Sequence, residues 1–113
     1  MMQRRFLMVN NVRLTQRPPV YKYDEDRLLS DLKDYIDDTY DQHYSQNNFQ
    51  ATEFIMDSGH GEGFCIGNIM KYAQRYGKKN GKDRKDLLKV IHYGILALHN
   101  HDKECYHVKY EYT

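Results

Sequence analysis

Apolar positions recur three and four residues apart along most of the 113-residue chain, the spacing of one face of an α-helix. Leu28, Leu29, Leu32, Tyr35 and Ile36 predict an amphipathic helix over Glu25 to Asp38, capped by Asp24 or Asp26. After a polar break from Asp41 to Asn47, a short helix is expected from Asn48 to Asp57, with Ala51, Phe54 and Ile55 inward. Ser58-Gly59-His60-Gly61-Glu62-Gly63 reads as a loop. A third helix follows from Phe64 to Tyr76, ended by Gly77, with Ile66, Ile69, Met70 and Ala73 as its buried face. Lys78 to Lys82 forms a loop. The fourth helix is expected from Asp83 to His101, burying Leu87, Leu88, Ile91, Ile95 and Leu98.

Two stretches alternate with a period of two instead. Tyr106 to Tyr112 reads as a strand, and Phe6–Val9 and Val12–Leu14 flank an Asn10-Asn11 turn. Arg17-Pro18-Pro19-Val20 is an extended linker. The expected fold is therefore mainly α, a small helical domain of about four helices. Its N- and C-terminal segments are candidates for a short β-hairpin or strand pair. The chain divides into an N-terminal strand, linker and acidic helix (1–42), a helical core (43–106) and a C-terminal strand or tail (107–113).

Composition changes this picture little, and charge changes it more. A hydrophobic fraction of 40% and a charged fraction of 29% are ordinary for a soluble domain. The net charge of +1 argues against a polycation that wraps nucleic acid. No apolar run approaches the roughly 18–20 residues that cross a bilayer, and Met1 to Val9 is too short and polar for a secretory signal. Cys65 and Cys105 sit in no metal-binding spacing and are expected to be reduced thiols. Yet the charge is segregated. Asp24 to Asp41 holds eight acids against two bases, whereas Lys71 to Lys89 holds eight bases against Asp83 and Asp86.

That basic block carries the candidate chemistry. Asn68, Lys71, Tyr72 and Arg75 fall on one helical stripe, and Asp86, Lys89 and Tyr93 on another. A short connection makes the two helices antiparallel, so the stripes could face one cleft with Lys78 and Lys79 at its rim. Arg and Lys supply charge-assisted donors for phosphate, and Tyr offers a face for a base. The same spacing also fits a salt-bridged helix pair in which Asp86 satisfies Lys71 or Arg75. No phosphate-binding GxxxxGK[ST] or strand-linked GxGxxG is present, so any phosphate would be held by side chains and loop backbone. Glu53 with Asp57, and Asp83 with Asp86, are helix-borne acid pairs of the kind that could hold Mg²⁺. His60, in the Gly-rich loop, is a flexible catalytic candidate.

The pattern His43-Tyr44, Glu53, Phe64, Gly67-Asn68, Lys71-Tyr72, Arg75, Gly77-Lys78-Lys79, Asp86-Leu87, Lys89 and Tyr93 resembles the SaV-like family of small bacteriophage proteins. Within that family it is most similar to the C-terminal part of the Walker-less nucleotide kinases of T-seven-like phages. The likeness covers about His43 to Tyr106. It implies phosphoryl transfer from a nucleoside triphosphate to dTMP or dGMP, in the cytoplasm of an infected bacterium, with Mg²⁺ as a candidate companion of the donor. Carried over, Lys71, Arg75, Lys78, Lys79 and Lys89 would bind phosphates, and Asn68, Tyr72 and Tyr93 would shape the base or sugar pocket. Asp86 would orient a cation, and His43 joins the substrate-binding set. Two other readings stand beside it. One is a metal-dependent nucleotide pyrophosphatase using Glu53, Asp57 and Asp83. The other is a non-enzymatic phage protein that binds a nucleotide or a host or defence protein. A cleft between two helices is shallow, so a homo-oligomer that completes the site is expected.

Overall fold

The computed structural model describes residues 19–43 and 47–111. Those residues are mainly helical: α1 (Glu25–His43), α2 (Asn47–Ile55), α3 (Gly61–Arg75) and α4 (Arg84–Glu111). Among them no strand occurs and no helix is long and apolar enough to cross a membrane. The N-terminal alternating segment lies outside the described residues.

α1 starts where the acidic cluster predicts. The Asp24 carbonyl accepts the Leu28 N–H at 2.8 Å, and Glu25 Oε1 accepts the Tyr23 N–H at 2.8 Å. The helix runs through Asp41 to His43, because nothing there breaks it, and so absorbs part of the expected polar gap. Leu32 is its one buried apolar residue, whereas Leu28 and Leu29 face outward.

The expected loop at 58–63 is corrected. Met56–His60 is a wide turn, and it kinks because Gly59 adopts φ 92°, a conformation open to glycine. α3 already begins at Gly61, so α2 and α3 form one bent rod and the described chain has three rods, not four separate helices. Gly61 is buried against α4, where an added Cβ would lie 2.5 Å from Asn100 Oδ1 and 2.8 Å from Met56 Sδ. Any larger residue would have to push the Asn100 and Met56 side chains aside. The strand expected at Tyr106 to Tyr112 is also corrected, since α4 continues through it to Glu111. No glycine or proline interrupts the sequence after Gly94, so helix propagation overrides a weak alternation.

α3 and α4 make the main packing of the molecule and run antiparallel. Their turn uses left-handed residues, with Gly77 at φ 84°, Asn80 at φ 60° and Gly81 at φ 69°. The faces that meet are not the ones hydropathy predicts. Ile66, Met70 and Ala73 on α3, and Leu87, Ile91, Ile95 and Leu98 on α4, are exposed, while Ile69 and Leu88 are half-buried. On α2, Ala51 and Phe54 are exposed and Ile55 is half-buried. The seam instead holds Phe64, Cys65, Asn68, Tyr72 and Arg75 against Asp86, Lys89, Tyr93 and Asn100. Aromatic rings bury more area per residue than aliphatic chains, which explains why the Tyr-bearing stripes win the interface.

Candidate functional site

The two polar stripes meet. Tyr72 and Tyr93 stack across the seam, with ring centroids 5.9 Å apart and planes 12° from parallel. Phe64 meets Tyr93 edge-on at 5.8 Å. On α1, Tyr35 extends the aromatic cluster through an edge contact of 6.1 Å with His92. Three cations surround the Tyr72 ring. Lys71 Nζ and Lys89 Nζ lie 4.9 Å and 4.8 Å from its centroid, and Arg75 Cζ lies at 5.8 Å. Ring quadrupoles attract cations, but three like charges around one ring also repel one another.

One acid answers them. Arg75 Nε lies 3.6 Å from Asp86 Oδ1, with Asp86 4% and Arg75 27% exposed at the side chain. That is a Coulombic contact too long for a hydrogen bond. Arg75 Nε and Asp86 Oδ2 are both buried without a hydrogen-bond partner. Neither Lys71 nor Lys89 has an acidic partner among the described residues. The salt-bridged reading is therefore realised at Arg75, and it leaves two lysines over.

The seam opens into a groove of about 810 Å³ between the rods, bordered by Tyr35, Phe64, Tyr72, Lys89, His92 and Tyr93 on one side and Glu53 and Asp57 on the other. Burial pushes the Tyr93 and Tyr35 phenols up, with a smaller contribution from neighbouring phenols, and pushes the His92 imidazole down. The phenols and the imidazole of the groove wall are therefore neutral near pH 7, and its charges are Lys89 and Lys103 against Glu53 and Asp57.

Other candidates are occupied or apart. Asn68 donates its side-chain amide to the Phe64 carbonyl at 2.8 Å, one turn back in the middle of α3. Lys78 and Lys79 are exposed on the turn, and their backbone N–H groups donate to the Arg75 carbonyl at 2.9 and 3.3 Å. The loop backbone is thus already engaged in closing α3. Asp57 pairs with Lys103 at 3.2 Å. Asp83 Oδ1 accepts the Lys85 N–H at 3.0 Å, capping α4. No three His, Cys, Asp or Glu side chains converge on a metal position among the described residues. His60 is exposed before α3, and the His43 side chain lies outside the described residues. Tyr35, His92 and Lys103 belong to the groove although sequence spacing did not single them out. The only signal was Tyr35 on the inward stripe of α1.

Residues 39–94 match a protein family described only as being of unknown function, DUF3310. The matched span contains Lys71, Tyr72, Arg75, Asp86, Lys89 and Tyr93 and both acid pairs, but not Tyr35. No curated protein and no solved structure matches the chain.

Proposed function

We propose that the Tyr72 cluster anchors the phosphates of a nucleotide whose base enters the aromatic groove, and that the protein acts as a P-loop-free deoxynucleoside monophosphate kinase. The observation that carries this reading is the convergence of Lys71, Lys89 and Arg75 on one ring with a single acid to balance them. Such an excess of cations is relieved by an anion, and a phosphate meets ammonium and guanidinium donors equally well. The groove beside it is roomy and rich in aromatic rings, which suits a base. The likeness of the Gly67–Lys79 and Asp86–Tyr93 motifs to the SaV-like phage kinases supports the choice of reaction.

In that reaction a phosphate oxygen of the monophosphate attacks the γ-phosphorus of the triphosphate. The bond to the β–γ bridging oxygen breaks, and a diphosphate leaves on each side. The protein contributes position and positive charge, which is most of what phosphoryl transfer needs. Lys71 and Lys89 hold the charge that develops on the equatorial oxygens, and Tyr72 with Tyr93 orients the base. The described residues do not fit a resident metal. Mg²⁺ would instead arrive on the triphosphate, and Asp86, the carboxylate beside Arg75, would be the residue to orient it.

The test is ³¹P NMR of the protein with dTMP, dGTP and Mg²⁺, beside the Lys71→Ala/Lys89→Ala double variant. Formation of dTDP and dGDP by the wild type, lost in the variant, is the expected result. Release of pyrophosphate or free phosphate without dTDP would replace the kinase by a hydrolase. Binding without turnover would leave a nucleotide-sequestering protein.

A further inference from the structure

α4 lines the groove from Lys89 at one end to Lys103 at the other. A helix rises about 1.5 Å per residue, so these two positions stand about 20 Å apart. They are not equivalent. Lys103 Nζ pairs with Asp57 at 3.2 Å. Lys89 has no acidic partner among the described residues, and its Nζ lies 4.8 Å from the Tyr72 centroid with Lys71 close by. An anion therefore seats at the Lys89 end. A nucleotide with its phosphate there extends inward, because α4 borders the groove only from Lys89 onward.

Going inward, His92 and Tyr93 come next, about one helical turn beyond Lys89, and the apolar Ile95 and Leu96 follow. A nucleotide's sugar sets its base a comparable distance from its phosphate. The base then falls level with His92, the polar side chain of α4 at that depth.

The His92 ring is held by packing. It is half-buried, stands perpendicular to Tyr35 of α1 with centroids 6.1 Å apart, and lies 6.4 Å from the Tyr93 ring. Its nitrogens have no hydrogen-bond partner among the described residues, yet they are not sealed in. The buried side-chain atoms left without a partner there are Arg75 Nε and Asp86 Oδ2. His92 is thus unpaired and open at the groove wall. Burial keeps its imidazole neutral, which leaves it one N–H donor and one acceptor. A few fixed polar groups in an otherwise aromatic and apolar wall are what orient a ligand.

We propose that His92 recognises the base, hydrogen-bonding its edge while Tyr35 and Tyr93 hold the imidazole in place. The proposal rests on the nucleotide reading of the Tyr72 cluster and adds to it the residue that meets the base.

Calorimetric titration of the full chain with dTMP and with 2-deoxyribose 5-phosphate tests it. The two share phosphate and sugar and differ by the base. The wild type should bind dTMP more tightly. His92→Phe keeps a ring against Tyr35 but has no ring nitrogen. It should lower dTMP affinity by roughly 5- to 10-fold, the worth of a neutral hydrogen bond, and leave 2-deoxyribose 5-phosphate unaffected. His92→Gln retains a donor and an acceptor and should lose less. Lys89→Ala, by contrast, should weaken both ligands alike.

A wild type that binds the two ligands equally overturns the proposal and leaves the phosphate site standing. So does a His92→Phe variant that keeps the preference for dTMP, or that loses no more of it than His92→Gln. A wild type that binds neither ligand overturns the nucleotide reading, and this proposal with it.

Discussion

Arg75 and Asp86 face each other across the α3–α4 seam with 3.6 Å between Nε and Oδ1, and each keeps one buried polar atom without a hydrogen-bond partner. The pair therefore joins two roles that are hard to separate by mutation. Arg75→Ala leaves Asp86 buried and unpaired, which should lower unfolding stability by about 2–3 kcal/mol. The Arg75→Leu/Asp86→Leu double variant should recover most of that loss, since an apolar pair of similar volume has no charge to desolvate. Urea denaturation of the two variants checks this. If Arg75→Ala is as stable as the wild type, the contact is only a surface attraction.

Lys71 and Lys89 are cleaner probes of the anion site because no acid among the described residues holds them. Lys89→Ala should weaken nucleotide binding by roughly 10- to 100-fold, the worth of one hydrogen bond to a charged group. It should cost no more than about 0.5–1 kcal/mol of stability, the worth of its cation–π contact with Tyr72. Calorimetric titration with dTMP and dGTP measures the first effect, and thermal unfolding the second. Equal affinity in the variant would remove Lys89 from the site.

Stability should fall with acid in a definite window. Burial holds the His92 pKa below its ordinary value of about 6.5. The unfolded chain then takes up a proton at a pH where the folded chain does not, so stability is complete above about 6.5 and declines as pH falls toward the folded pKa. The urea midpoint should drop as pH falls below about 6.5, and His92→Gln should flatten that slope. An unchanged slope in the variant would assign the effect to other groups.

Two glycines of one rod should respond with opposite sign. Gly61→Ala drives a methyl to 2.5 Å from Asn100 Oδ1 and 2.8 Å from Met56 Sδ and should destabilise by about 1–3 kcal/mol through overpacking. Gly67→Ala meets open space and should stabilise the isolated chain by about 0.5–1 kcal/mol through helix propensity. Thermal unfolding of both at low protein concentration checks the pair.

Periodicity alone located α1, the Gly77 end of α3 and the antiparallel α3–α4 hairpin, because capping acids and left-handed glycines act locally. It also placed Asn68, Tyr72, Arg75, Asp86, Lys89 and Tyr93 on facing stripes. It failed where the outcome depends on tertiary competition. Hydropathy assigned Ile66, Met70, Ile91 and Leu98 to the core, yet the tyrosine stripes occupy the seam and displace them outward. Alternation at 106–112 suggested a strand, but a helix already 22 residues long at Cys105, counted from Arg84, extends at one hydrogen bond per residue added. Gly61 was read as loop, since its need to be glycine lies on a different helix, at Asn100. The pairing of Arg75 with Asp86 was visible as one option and could not be chosen without the packing.

The α3–α4 hairpin is fastened at both ends. A short turn from Tyr76 to Asp83 joins the helices at one end, and the Gly61–Asn100 approach presses them together at the other. Between these two fastenings the width of the seam is fixed before any ligand arrives. Lys71, Lys89 and the Tyr72–Tyr93 stack then lose little conformational freedom on binding, and a nucleotide need not draw the helices together. Affinity in such a slot is preorganised, so substitutions at Gly61 or Asn100, far from the cations, should loosen ligand binding by widening the slot without removing a single contact to the ligand.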